Sequence, residues 1–109
     1  MAKYSKGDVV FVHYPFWENG ELKSKPRPAI IMEVAGSEHF IIKCTSKNKS
    51  DKFKGVWILS SSPEGIKMGF KVNTFINLSE TITLKGFAII RKIGDCPILE
   101  KLEDMLDEG

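Results

Sequence analysis

Residues 8–14, Asp8-Val9-Val10-Phe11-Val12-His13-Tyr14, decide the fold class. β-branched and aromatic side chains fill this run, as suits the pleated backbone of a strand. Alternation sets Val9, Phe11 and His13 on one face and Val10, Val12 and Tyr14 on the other. Both faces are largely apolar, so the strand is expected to be covered on both sides, with His13 reading as a core or interface histidine. Pro15 is expected to stop it, because proline donates no hydrogen bond to a sheet. A polar, lysine-bearing loop containing the turn signal Asn19-Gly20 then runs to Pro26.

Outward from this run, short β-rich segments recur. Pro28 opens residues 29–34, which end at Gly36-Ser37. In residues 39–45, Phe40, Ile42 and Cys44 share a face that reads as core, and Ile41, Lys43 and Thr45 share a mixed or exposed one. A lysine-rich turn over 47–55 leads to a fourth strand at 56–60. Residues 71–78 and 86–94 supply two more, with a helical turn near 83–86. The tail differs in kind: Asp95 could cap a helix, Pro97 suits its first turn, and Leu99, Leu102 and Leu106 form one stripe at helical spacing. The expected fold is a single domain over 1–109, mainly β with a C-terminal helix, built as a strongly bent sheet or SH3-like small barrel.

The composition agrees. In 109 residues, 42% are apolar and 28% charged, a globular rather than a disordered profile. The longest apolar runs are four residues (9–12, 29–32, 56–59 and 87–90), far below the about 20 that cross a bilayer. No membrane span and no secretory signal are read in the sequence, so the expected location is cytoplasmic. The net charge of +2 hides an asymmetry. Glu100, Glu103, Asp104, Asp107 and Glu108 face only Lys101 in the last eleven residues, which leaves a moderately basic body. Such a body fits an anionic partner, nucleic acid being the usual one, although a solvated surface has the same pattern. Cys44 and Cys96 lack metal-ligand or CxxC spacing, and His13 and His39 are isolated, so no metal or cofactor is expected. Two free thiols are the expected state of the cysteines.

Three features could carry chemistry. Arg27, one of only two arginines, stands between Pro26 and Pro28, which restrict the direction in which its planar cation projects. That suits a phosphate, although from spacing alone a surface arginine in a tight turn is the commoner case. Thr45-Ser46, at a strand end beside Lys47 and Lys49, could hold a phosphate oxygen or make ordinary turn contacts. Phe16 and Trp17 stand among polar neighbours; they could stack on unpaired bases, seal a barrel end or form a dimer contact.

In this order, the features resemble the MazF/PemK (Kid-like) toxin-antitoxin ribonucleases, a family whose barrel type is shared with CcdB-like toxins. The resemblance is carried by Gly7-Asp8-Val9-Val10, Tyr14-Pro15-Phe16, Lys25-Pro26-Arg27-Pro28-Ala29-Ile30-Ile31, Thr45-Ser46 and Ile90-Arg91-Lys92-Ile93-Gly94, and runs from about Gly7 to Leu106. It implies an SH3-like barrel, a homodimer, a cognate antitoxin, and single-stranded RNA in a groove. It also implies metal-independent cleavage by 2′-hydroxyl attack, giving a cyclic phosphate and a 5′-hydroxyl. By position, Arg27 and Thr45 match the family's catalytic arginine and threonine; Phe16, Trp17, Lys25, Lys43, Ser46, Lys47 and Lys49 are the expected RNA contacts. One departure stands out. Some members place an acid-base aspartate after a Thr-Leu pair, where this chain has Lys85, so the general base is unassigned among His13, Glu18 and Glu21. Two alternatives follow: a toxin of the same barrel that poisons a topoisomerase such as gyrase, and a non-catalytic RNA-binding barrel.

Overall fold

The computed structural model describes residues 3–107. Its elements, in order, are β1 (Asp8–Glu18), β2 (Glu21–Ala35), β3 (Glu38–Thr45), β4 (Gly55–Ile58), α1 (Pro63–Met68), β5 (Thr74–Lys85), a 3-10 turn (Gly86–Ala88), β6 (Ile89–Asp95) and α2 (Leu99–Asp107). The strands form one antiparallel sheet of order β4-β5-β3-β2-β1-β6, curled into a half-barrel with β4 and β6 at its edges.

Pro15 does not stop β1. It pairs with Ser24, and Trp17 pairs with Leu22, so the expected loop is a β-hairpin arm. Asn19 (φ 52°) and Gly20 (φ 77°) turn it with two left-handed residues, the geometry that matches the twist of paired strands. The prolines are tolerated for a positional reason. β6 accompanies β1 only as far as Val12, and β3 accompanies β2 only from Ala29 onward. Pro15, Pro26 and Pro28 therefore lie where their strands have a free outer edge and no ladder bond is lost.

The coverage of β1 on both faces is borne out where β6 flanks it. Val9 belongs to one buried cluster, with Ile30, Ile42, Cys44, Ile76 and Leu102; Val10, Val12 and Tyr14 belong to a second, with Ala29, Ile31, Ile41 and Ile89. His13, beyond that stretch, is exposed rather than core. The face of β3 bearing Ile42 and Cys44 is core as expected, but Ile41 on the opposite face is equally buried. β5 starts three residues later than expected and continues to Lys85, so the helical turn falls at 86–88 instead of 83–86.

The short helix α1 is additional. Ser62 accepts from Gly65 N–H at 3.0 Å, Pro63 occupies the first turn, and Gly69 ends the helix in the left-handed conformation (φ 78°). A Cβ on Gly69 would stand 2.1 Å from the carbonyl oxygen of Ile93, so only glycine lets α1 close on the β6 edge. In α2, Leu102 is fully buried and Leu99 and Leu106 pack around it on the first cluster. Asp95 is not its cap: it closes β6, with its carboxylate 2.8 Å from Lys92. No helix is long and apolar enough to cross a membrane among the described residues.

Candidate nucleic-acid interface

β2 and β3 bring the two leading candidates together. Ala29 pairs with Lys43, and carrying that register two residues further brings Arg27 level with Thr45. Both line a cavity of about 160 Å³ that also includes Ser46. Arg27 borders a second hollow as well, of about 270 Å³, lined by Tyr14, Phe16, Glu18, Lys25 and Lys43. The guanidinium thus stands at a junction between two depressions. It is half-buried, and among the described residues no carboxylate pairs with it. A half-buried cation without a counter-ion suits an external anion, because bidentate charge-assisted bonds are strong away from bulk water.

The neighbours are held in place. Thr45 is 7% exposed, and its hydroxyl oxygen accepts a long bond (3.4 Å) from Lys47 N–H, which leaves its own O–H to donate. In β5, Leu78, Ser79 and Glu80 fall at a break in register with no partner on β3, between Asn77–Lys43 and Thr81–Ile42. Buried Asn77 builds this bulge by accepting from Ser79 N–H at 3.0 Å. The bulge delivers the Glu80 carboxylate to within 3.0 Å of Lys43, whose ammonium also lies 5.1 Å from the Tyr14 ring centre. Burial, and secondarily Glu80, pushes the Tyr14 hydroxyl above its ordinary pKa, so it stays a neutral donor. Lys25 covers the Phe16 ring at 5.3 Å, and Glu18 pairs with Lys23 at 3.3 Å.

Of the nine expected site residues, Arg27, Thr45, Ser46, Phe16, Lys25 and Lys43 meet around these two hollows. Trp17 lies at the tip of the hairpin arm, 72% exposed, outside both. Lys47 and Lys49 follow β3 without lining either, and Lys49 sits 6.0 Å from the Phe53 ring centre. Among the three base candidates, Glu18 alone lines a hollow; His13 and Glu21 are exposed elsewhere on the arm. Lys85 is remote: it pairs with Glu38 at 2.7 Å, ten residues along β5 from Phe75, the partner of Thr45.

The sequence reading missed one wall of the site. Gly69, Phe70, Lys71, Val72 and Thr74 also line the smaller cavity, with Phe11 and Ile93 completing it. A signal existed, because Ser62-Pro63 followed by Gly69 marks a short capped helix that ends at this wall. Glu80 was missed too, and the bulge that presents it has no sequence signature beyond Asn77.

No protein-family profile matches the chain, and no curated protein is similar to it in sequence. A structural likeness is nevertheless extensive. A chain from the crystal structure of a MazE-MazF complex of Deinococcus radiodurans superposes with a TM-score of 0.71 at 14% identity, over 99% of this chain and 96% of that one. The curled sheet with its C-terminal helix is the MazF fold, as the sequence resemblance implied.

Proposed function

We propose that the chain is a MazF-type toxin: a homodimeric, metal-independent endoribonuclease that cuts single-stranded RNA and is restrained by a cognate antitoxin. The observation that carries this reading is Arg27, half-buried, without a carboxylate partner among the described residues, and level with Thr45 between two depressions.

A scissile phosphate bound at Arg27 gains charge on its non-bridging oxygens as the five-coordinate transition state forms. A guanidinium already in place stabilises that charge more than it stabilises the ground state. The 2′-oxygen bonds to phosphorus as the bond from phosphorus to the 5′-oxygen breaks. The products are a 2′,3′-cyclic phosphate and a 5′-hydroxyl. Thr45 donates its O–H to a phosphate oxygen and keeps the linkage in line. Glu18 is the carboxylate at the larger hollow and takes the 2′-proton in this scheme; the departing 5′-oxygen takes a proton from solvent water. Lys25 and Lys43 hold the neighbouring phosphates, and Phe16 offers a stacking face. An antitoxin with an acidic disordered segment would meet the same basic surface and exclude RNA from it.

The test is cleavage by the purified protein beside Arg27→Ala. A ribonuclease loses cutting in the variant, whereas a topoisomerase poison keeps its toxicity. RNA that is bound but never cut would leave the non-catalytic barrel.

A further inference from the structure

We propose that a separate cavity of about 520 Å³, away from Arg27, is a binding site for a small aromatic anion that carries a ring N–H or O–H. It lies where the β2–β3 turn, with Gly36 and Ser37, meets the 3-10 turn that joins β5 to β6. None of its lining residues borders either hollow at Arg27. His39, which lines it, is six residues along β3 from Thr45, roughly 20 Å of extended strand.

The lining combines three kinds of group. Tyr4, Phe87, Ile89 and Ile90 supply apolar surface, two of them aromatic, and Phe87 is 88% exposed. Lys3 and Lys85 supply positive charge, Lys3 at 5.8 Å from the Tyr4 ring centre and Lys85 at 2.7 Å from Glu38. Among the described residues, no carboxylate belongs to the lining. The third group is the imidazole of His39, only 3% exposed. Its Nδ1 donates to Ser37 C=O at 3.1 Å, since a carbonyl can only accept. In the neutral ring Nε2 is then a bare acceptor, buried and without a partner among the described residues. Buried polar atoms are nearly always partnered, so an unfilled one in a residue that lines a cavity calls for a donor from outside.

These groups define the ligand. A ring suits the aromatic and aliphatic walls, an anionic group suits the lysines, and a ring donor suits Nε2. A plain hydrocarbon would leave the lysines and Nε2 unused, and an inorganic anion would leave the apolar walls bare. Nucleoside monophosphates and indole carboxylates share the required chemistry. The volume is also of the size that small ligands occupy.

Much of the site is preformed. The Ser37 carbonyl accepts from Gly86 N–H at 2.8 Å as well as from His39, which ties the two turns together. A Cβ on Gly86 would stand 3.1 Å from His39 Cε1, so the glycine leaves the imidazole its space. Nε2 is shut off from solvent, and the donor reaches it as the turn Gly86–Ala88 yields. That turn holds no buried residue and has no side-chain bond at its N-cap, which suits it to a small adjustment.

The experiment titrates the purified protein, without RNA, and follows the histidine ring signals by NMR. One arm uses uridine and guanosine 5′-monophosphates; the other uses indole-3-acetate. The chain has two histidines, and exposed His13 is the internal control. The expected result is saturable binding in one arm, with a Kd below about 1 mM, that moves the His39 signals and leaves those of His13 in place. The arm that binds identifies the source of the ligand. Removing the charge (the nucleosides, indole-3-acetamide) or the donor (the ring N-methylated analogues) should each weaken binding about 2- to 10-fold. Phe87→Ala, at a position too exposed to support the core, should weaken it about threefold or more at an unchanged thermal midpoint. No saturation in either arm below about 10 mM, binding indifferent to both controls, or His13 moving in place of His39 would overturn the proposal. So would a wild-type dimer that dissociates in Phe87→Ala, because this face would then be a subunit contact. The ribonuclease reading is scored by cleavage alone, so a protein that binds the aromatic anion and never cuts RNA would keep this site and lose that activity.

Discussion

Arg27 is the residue on which function turns. It lies on a strand with Pro26 and Pro28 beside it, so its direction comes from the backbone and, among the described residues, not from an ion pair. Arg27→Ala should therefore lower cleavage by about 10²- to 10³-fold, the usual loss when one donor to a developing oxyanion is removed. Its thermal midpoint should stay close to that of wild type, since no paired charge among the described residues is orphaned; a large drop in stability would assign the arginine a structural role. The thiols give a second prediction at this scale. Burial pushes the Cys44 thiol far above its ordinary pKa of 9.0, and burial likewise raises Cys96. Both folded thiols therefore hold their protons where the unfolded ones begin to lose them. The stability they contribute is fully present below pH 9.0 and is lost as pH rises beyond it. A thiol-reactive disulfide dye at pH 8 should modify the native protein slowly and the unfolded chain rapidly. Rapid modification of both cysteines in the native protein would contradict this burial.

Among the elements, α1 and the segment after it connect stability to the site. Ser62→Ala removes the N-cap bond to Gly65 and should cost about 1 kcal/mol. Gly69→Ala should cost more, because it adds a left-handed alanine and drives a methyl into the Ile93 carbonyl. Both variants loosen the wall of the small cavity, so thermal melts and cleavage rates should fall together; an unchanged rate in a destabilised Gly69→Ala would separate the wall from the site. The legibility of the sequence divides along the same lines. The runs at 9–14 and 39–45 were readable because covered strands concentrate β-branched and aromatic side chains. The tail helix was readable from its leucine stripe. The hairpin arm was not, because its prolines look like strand breakers until the free outer edges of β1 and β2 are known. Arg27 and Thr45 were legible through the prolines and the strand end that frame them. Glu80 and the wall at 69–74 were not, since a bulge and a register place them, and neither is encoded locally.

Over the whole molecule, a basic body carries an acidic tail helix, and Arg27 stands between two depressions. If binding is chiefly phosphate contact, the affinity for single-stranded RNA should fall linearly on a log–log scale as salt rises. Affinity independent of salt would place binding elsewhere. The measurement that bears most directly on the central claim is cleavage of a long single-stranded RNA in EDTA by wild type, Arg27→Ala and Thr45→Ala, with the ends mapped. The account predicts discrete cuts with 5′-hydroxyl ends by wild type and their loss in both variants. No cutting by folded wild type, or cutting by Arg27→Ala at the wild-type rate, would contradict it.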